Sequence, residues 1–98
     1  MYYQQGDVII KKVDYKVTGK KLNHTVIAEG EVTGHCHKVI GDGVELYEKD
    51  GKLFLHVENE ATVIHEEHNP ITISPGDFEI QRVREYDHFL EESKQVTD

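Results

Sequence analysis

Two short segments, Gly34-His35-Cys36-His37 and His65-Glu66-Glu67-His68, hold four of the seven histidines of this 98-residue chain. Imidazole nitrogens at such spacings are the raw material of a transition-metal site. On an extended strand, side chains two apart point to the same face, which sets the Cα atoms of His35 and His37 ~6.5–7 Å apart. That separation lets two rings reach one ion at about 2.0–2.1 Å. His65 and His68 are three apart, a spacing no flat strand presents on one face, so they need a bulge, a turn or a helical turn to converge. The Asn69-Pro70 pair that follows favours a turn there.

An HxH pair alone also occurs as a solvated or hydrogen-bonded pair on a strand face. Two clusters in one small domain, however, supply the three or four ligands a site needs, so His35, His37, His65 and His68 are the expected metal ligands. Neutral imidazoles suit Zn²⁺, Ni²⁺, Cu²⁺ or Fe²⁺, with Mn²⁺ a further candidate, rather than Ca²⁺ or Mg²⁺. Three histidines and an open position would let a bound water act as a nucleophile near neutral pH, with Glu66 or Glu67 as general base. Four histidines would close the site and make it structural. Glu66-Glu67 also reads as a plain solvated acidic turn. His-Glu-Glu-His is not the zincin HExxH, because its histidines are three apart. No nucleophile elbow, phosphate-binding loop or dinucleotide fingerprint occurs.

The single cysteine, Cys36, excludes an intramolecular disulfide and a Cys-rich zinc finger. On a regular strand it faces away from His35 and His37, on the side of Lys38, and is expected to be a buried structural thiol. Nineteen acidic against eleven basic residues give a formal charge of −8. That argues against a general phosphate-backbone binder and raises the local concentration of cations. The N-terminal Met-Tyr-Tyr-Gln-Gln-Gly has neither a basic nor an apolar leader, and no apolar run approaches membrane-spanning length. A cytoplasmic protein without membrane association is the expectation.

The elements that must position these residues are short β-branched segments separated by turns, the pattern of an all-β domain. Strands are expected over 7–15, 22–28, 35–40, 61–65, 71–73 and 78–86. The clearest element is a hairpin over 44–57, whose Asp50-Gly51 pair favours a type I′ turn. Its register sets Leu46 against Leu55, Val44 against Val57, Tyr47 against Phe54, and Glu45 against His56. Seven or eight mostly antiparallel strands in one domain over 1–86 make a small barrel or sandwich the economical architecture. Residues 87–98 form a C-terminal tail, with Phe89 and Leu90 able to dock through a helical turn. Arg82, Arg84 and Tyr86 share a face of the last strand, as an anion-binding patch or as ion pairs with the chain's own carboxylates. Tyr2 and Tyr3 could form a dimer edge.

His35-x-His37, a following Glu45 or Glu48, Gly51 and the Pro75-Gly76 turn resemble the motifs of the cupins, across about half of the chain. The resemblance implies a double-stranded barrel with an inward-facing metal triad. In cupins the interval from the histidine pair to its glutamate is shorter than the seven residues between His37 and Glu45, and a third histidine follows the Pro-x-Gly turn. Here His65 and His68 precede that turn, so the triad carries over to His35 and His37.

Gly30 to His37 (GEVTGHCH), His65 to Pro70 (HEEHNP) and Arg84 to Asp87 (REYD) are also similar to small uncharacterised bacterial and phage-type proteins. That resemblance covers most of the chain and implies a shared fold and site without an activity. Three functional classes follow: a metal-binding cupin-like protein, a non-enzymatic interaction protein acting on an unknown small molecule or protein, and a phage-type assembly component that forms homo-oligomers through its sheet edges.

Overall fold

The computed structural model describes residues 1–30 and 34–83. Alternation of apolar and polar residues produces strands throughout, and among the described residues there are ten strands and no helix. In chain order they are β1 (Tyr2–Gln5), β2 (Val8–Val13), β3 (Lys20–Lys21), β4 (Val26–Glu29), β5 (Cys36–Ile40), β6 (Val44–Lys49), β7 (Lys52–Val57), β8 (Ala61–His65), β9 (His68–Ile73) and β10 (Gly76–Arg82). They form two antiparallel sheets, one in the order β1-β2-β10-β7-β6-β3 and the other in the order β4-β5-β8-β9. The sheets do not close into a barrel, so the double-stranded barrel that the cupin resemblance implies is not confirmed.

The inward side chains of both sheets share one core. Val8, Ile10, Leu46, Leu55, Val57 and Phe78 from the first sheet meet Ile27, Val39, Ala61, Val63 and Ile73 from the second. Strand alternation explains the selection: Cys36, Lys38 and Ile40 point outward from β5 while His37 and Val39 point inward. His37 is thus built into the wall of the core. Cys36 faces out with Lys38 as expected, but it is half-buried rather than buried.

The 44–57 hairpin has the expected register in every pair, including Leu46 with Leu55 and Glu45 with His56. Its turn carries φ of 54° at Asp50 and 78° at Gly51, the two positive values that a type I′ turn demands. Ten strands replace the expected seven or eight because β1 and the two-residue β3 lack the apolar alternation that marks a strand. In β1 the buried residues are Gln4 and Gln5. The expected strand over 7–15 is shorter, and Gly6-Asp7 turns β1 into β2, with Gly6 at φ 59°. β1 lies at the edge of its sheet, where Tyr3 packs edge-on against Phe78 and Tyr2 is the more exposed ring. The C-terminal tail, with Phe89 and Leu90, lies outside the described residues, as do Arg84 and Tyr86. No helix among the described residues is long and apolar enough to cross a membrane.

His56 shows how the sheet handles charge. Its Nδ1 donates to Asp77 Oδ1 on β10 and its Nε2 to Glu58 Oε1, each at 2.9 Å. Carboxylates only accept, so both nitrogens carry protons, and these hydrogen bonds, Glu58 first and then Asp77, raise the ring's pKa above 6.5. Glu45 sits opposite in register but accepts from Tyr47 and Lys21 instead. A raised folded-state pKa adds stability that is fully present below about pH 6.5 and is lost as pH rises through the folded value. His56→Gln should therefore lower the melting temperature most near about pH 5.5 and least near about pH 9. A penalty that is constant across that range in thermal unfolding would show that the ring is not held as a cation.

Candidate functional site

The two histidine segments meet. His65 and His68 are cross-strand partners that close the β8–β9 hairpin around Glu66-Glu67, and a register shift between Val63 and His65 lets both rings reach one side. The turn therefore falls at Glu66-Glu67. Asn69 and Pro70 lie inside β9, at the edge of its sheet, where the missing proline N–H is tolerated. β5 pairs with β8 through Lys38–Ile64 and Val39–Val63, which brings His37 beside the hairpin end. The ring centroids are 4.3 Å apart for His37–His65, 4.8 Å for His65–His68, 5.9 Å for His37–His68 and 5.9 Å for His35–His65.

Two glycines make room for these rings. A Cβ on Gly6 would lie 2.7 Å from His68 Nε2, and one on Gly30 would lie 3.0 Å from His65 Nε2. The result is a pocket of about 370 Å³ lined by Gly6, Asp7, Gly30, His37, His65, Glu67 and His68. His35 stands just before β5, its ring edge-on to that of His65.

The protonation of His37 follows from hydrogen bonding. Gln5 is fully buried, and its amide nitrogen donates to Val63 O at 3.0 Å and Asn69 O at 2.9 Å. Both amide protons are committed, so Gln5 Oε1, 2.9 Å from His37 Nδ1, must accept. His37 therefore carries its proton on Nδ1 and a lone pair on Nε2. Burial, reinforced by the neighbouring His65, lowers its pKa to about 4, so the ring is neutral near neutral pH. Nε2 faces Asp7 Oδ1 at 3.7 Å. Asp7 is itself oriented by Arg82, whose Nη2 and Nε donate to Oδ2 at 2.7 and 3.2 Å, while Nη2 also donates to Glu29 O. Arg82 is thus paired with one of the chain's own carboxylates.

The two hairpin glutamates have different tasks. Glu67 Oε2 accepts from His35 Nδ1 at 2.7 Å, and its backbone N–H donates to His65 Nδ1 at 3.0 Å. Glu66 Oε1 accepts the Cys36 N–H at 3.0 Å, and this bond holds its carboxyl below the usual range. Glu66 latches the hairpin to β5, whereas Glu67 faces the pocket. Because a backbone N–H can only donate, His65 Nδ1 is an acceptor, and a neutral His65 carries its proton on Nε2. Among the described residues no group of three or more His, Cys, Asp or Glu side chains is already arranged to hold a metal ion. Glu45, the cupin-derived candidate, lies in the other sheet, bound to Tyr47 and Lys21.

Sequence reading missed Gln5 and Asp7, whereas for Arg82 ion pairing with one of the chain's own carboxylates was among the readings and Asp7 is that partner. A turn Gly-Asp between two short strands was the available signal for Asp7, and nothing in Gln5 taken singly announced a role. Replacing Gln5 by Leu would strand the His37 Nδ1–H, the buried Val63 carbonyl and the part-buried Asn69 carbonyl, the buried groups each costing about 1–3 kcal/mol unless water enters. Urea unfolding of Gln5→Leu should show a loss of roughly 3 kcal/mol or more, and a loss below about 1 kcal/mol would mean the amide is not a structural tie.

In a comparison with known families, residues 4–83 fit a family described as a domain of unknown function, DUF8820. No curated protein and no solved structure matches the chain. The matched span contains Gln5, Asp7, Arg82 and all four clustered histidines. It covers well over half of the chain, which therefore belongs to the DUF8820 family.

Proposed function

We propose that the histidine pocket binds a divalent transition-metal ion, with His37 Nε2 and Asp7 Oδ1 as the first two donors and His65 and His68 completing the set. The observation that carries this reading is the pair of acceptors facing each other at 3.7 Å. The Gln5 amide holds the His37 proton on the far nitrogen, so a lone pair and a carboxylate oxygen oppose one another with no hydrogen between them. A cation resolves that opposition. Two donors at about 2.0–2.2 Å from one tetrahedral ion lie roughly 3.3–3.6 Å apart, so the pair needs to draw in only slightly to share one.

The rings support the same reading. Imidazoles bound to one tetrahedral ion have centroids roughly 5 Å apart, given metal–nitrogen distances of about 2.0–2.1 Å. The separations among His37, His65 and His68, 4.3 to 5.9 Å, bracket that value. The Gln5–His37 bond fixes the ring and tautomer as a ligating histidine requires, and the Asp7–Arg82 pair does the same for a ligating carboxylate. His65 must release the Glu67 N–H to offer a nitrogen. That bond is worth about 1 kcal/mol net, small beside the ~10–16 kcal/mol of a structural zinc site. His35 stands at the rim and holds Glu67.

A donor set of imidazoles and one carboxylate suits Zn²⁺, Ni²⁺, Fe²⁺ or Mn²⁺. A bound ion of this kind supplies Lewis acidity and lowers the pKa of water. Glu67, facing the pocket, is the group placed to take up a proton at its carboxylate, and Glu66 is committed to the Cys36 N–H. The alternative is a purely structural cluster in a non-enzymatic protein, favoured by the burial of His37 and its bond to Gln5.

Elemental analysis of untagged protein equilibrated separately with Zn²⁺, Ni²⁺, Fe²⁺ and Mn²⁺ decides between them. About one ion per chain is expected, retained by His35→Ala and lost in both His37→Ala and Asp7→Asn. If no ion is retained and none raises the melting temperature, the cluster is structural.

A further inference from the structure

The loop between β2 and β3 folds over the tip of the β6–β7 hairpin, so closely that a Cβ on Gly19 would lie 2.6 Å from Glu48 O. Between loop and hairpin lies a second pocket of about 380 Å³, which shares no lining residue with the histidine pocket. Its volume is within the range of small-molecule sites, about 300–1,000 Å³.

The charge of this pocket runs against that of the chain. Lys16, Lys49 and Lys52 line it with Asp50 as the one acid, in a sequence of nineteen acidic and eleven basic residues. Lys52 reaches Glu79 at 3.7 Å. Among the described residues no carboxylate pairs with Lys16 or Lys49. With carboxylates in surplus, two ammonium groups without a carboxylate partner among the described residues are available at one pocket to an anion from outside. Two rings flank them: Tyr15 is 53% exposed, and Phe54 is half-buried.

We propose that this pocket binds a phosphorylated ligand carrying a planar ring, the chemistry of a mononucleotide. The ammonium groups of Lys16, Lys49 and Lys52 meet the phosphates, and Tyr15 or Phe54 offers a face for the ring. The net charge of −8 does not prevent this. At physiological ionic strength the screening length is about 8 Å, so remote carboxylates are damped while lysines at the pocket act at full strength.

Calorimetric titration of the whole chain with adenosine diphosphate, inorganic pyrophosphate and adenosine at about 0.15 M salt tests the proposal. Saturable binding of the diphosphate is expected, tighter than either fragment, and weakened at least about tenfold in Lys16→Glu/Lys49→Glu. Phe54→Leu or Tyr15→Leu should weaken the diphosphate and adenosine while sparing pyrophosphate. Thermal unfolding of each variant separates loss of binding from loss of fold. Absence of saturable diphosphate binding, equal binding by the charge-reversed variant when folded, or pyrophosphate binding as tight as the diphosphate would each overturn it.

Discussion

A buried primary amide is stable only when both of its protons and its oxygen find partners, and Gln5 finds all three across the junction between the two sheets. It belongs to β1 of the six-stranded sheet, yet it donates to Val63 and Asn69 of the β8–β9 hairpin and accepts from His37 on β5. Breaking any one of these would leave a polar group unpaired at about 1–3 kcal/mol. Satisfying them together sets the position of β1, the register of the hairpin end and the tautomer of His37. The pocket inherits its geometry from that one side chain.

From this tie the electrostatics follow. With its Nδ1–H directed at Gln5, His37 presents a lone pair to the carboxylate of Asp7, which Arg82 holds in place. His56, on β7, experiences the opposite environment. There two carboxylates accept from both nitrogens and favour the cation, whereas burial and neighbouring imidazoles favour the neutral ring at His37. One residue type thus serves as a charged cross-strand link in one sheet and as a neutral donor in the other. Gly6 and Gly30 add the space that lets His68 and His65 approach.

Two pockets of opposite character result on one small fold. The histidine pocket gathers imidazole lone pairs and carboxylates, the groups on which the proposed cation site rests. The lysine pocket gathers ammonium groups and aromatic faces, at the place where the loop after β2 crosses the β6–β7 turn. Neither needs a helix or a long loop. Both arise where short connections bring strands of different pairing partners together.

Local chemistry determined much of this from sequence. Strand alternation and the Asp50-Gly51 pair specify the 44–57 hairpin to the residue, because side-chain period and turn dihedrals are local properties. The two histidine clusters were legible for the same reason, as residue types at short spacing. That they converge was decided by the β5–β8 pairing and the bulge near His65, contacts that no local pattern encodes. β1 escaped notice because its inward residues are glutamines, which read as surface until their partners are known. Asp7 and Arg82 are far apart in the chain and become a pair only when β10 lies beside β2. Sequence alone determined which groups could do chemistry and that strands would carry them. Tertiary structure decided which lone pairs face each other, because hydrogen bonds across the sheets, rather than spacing along the chain, orient each ring.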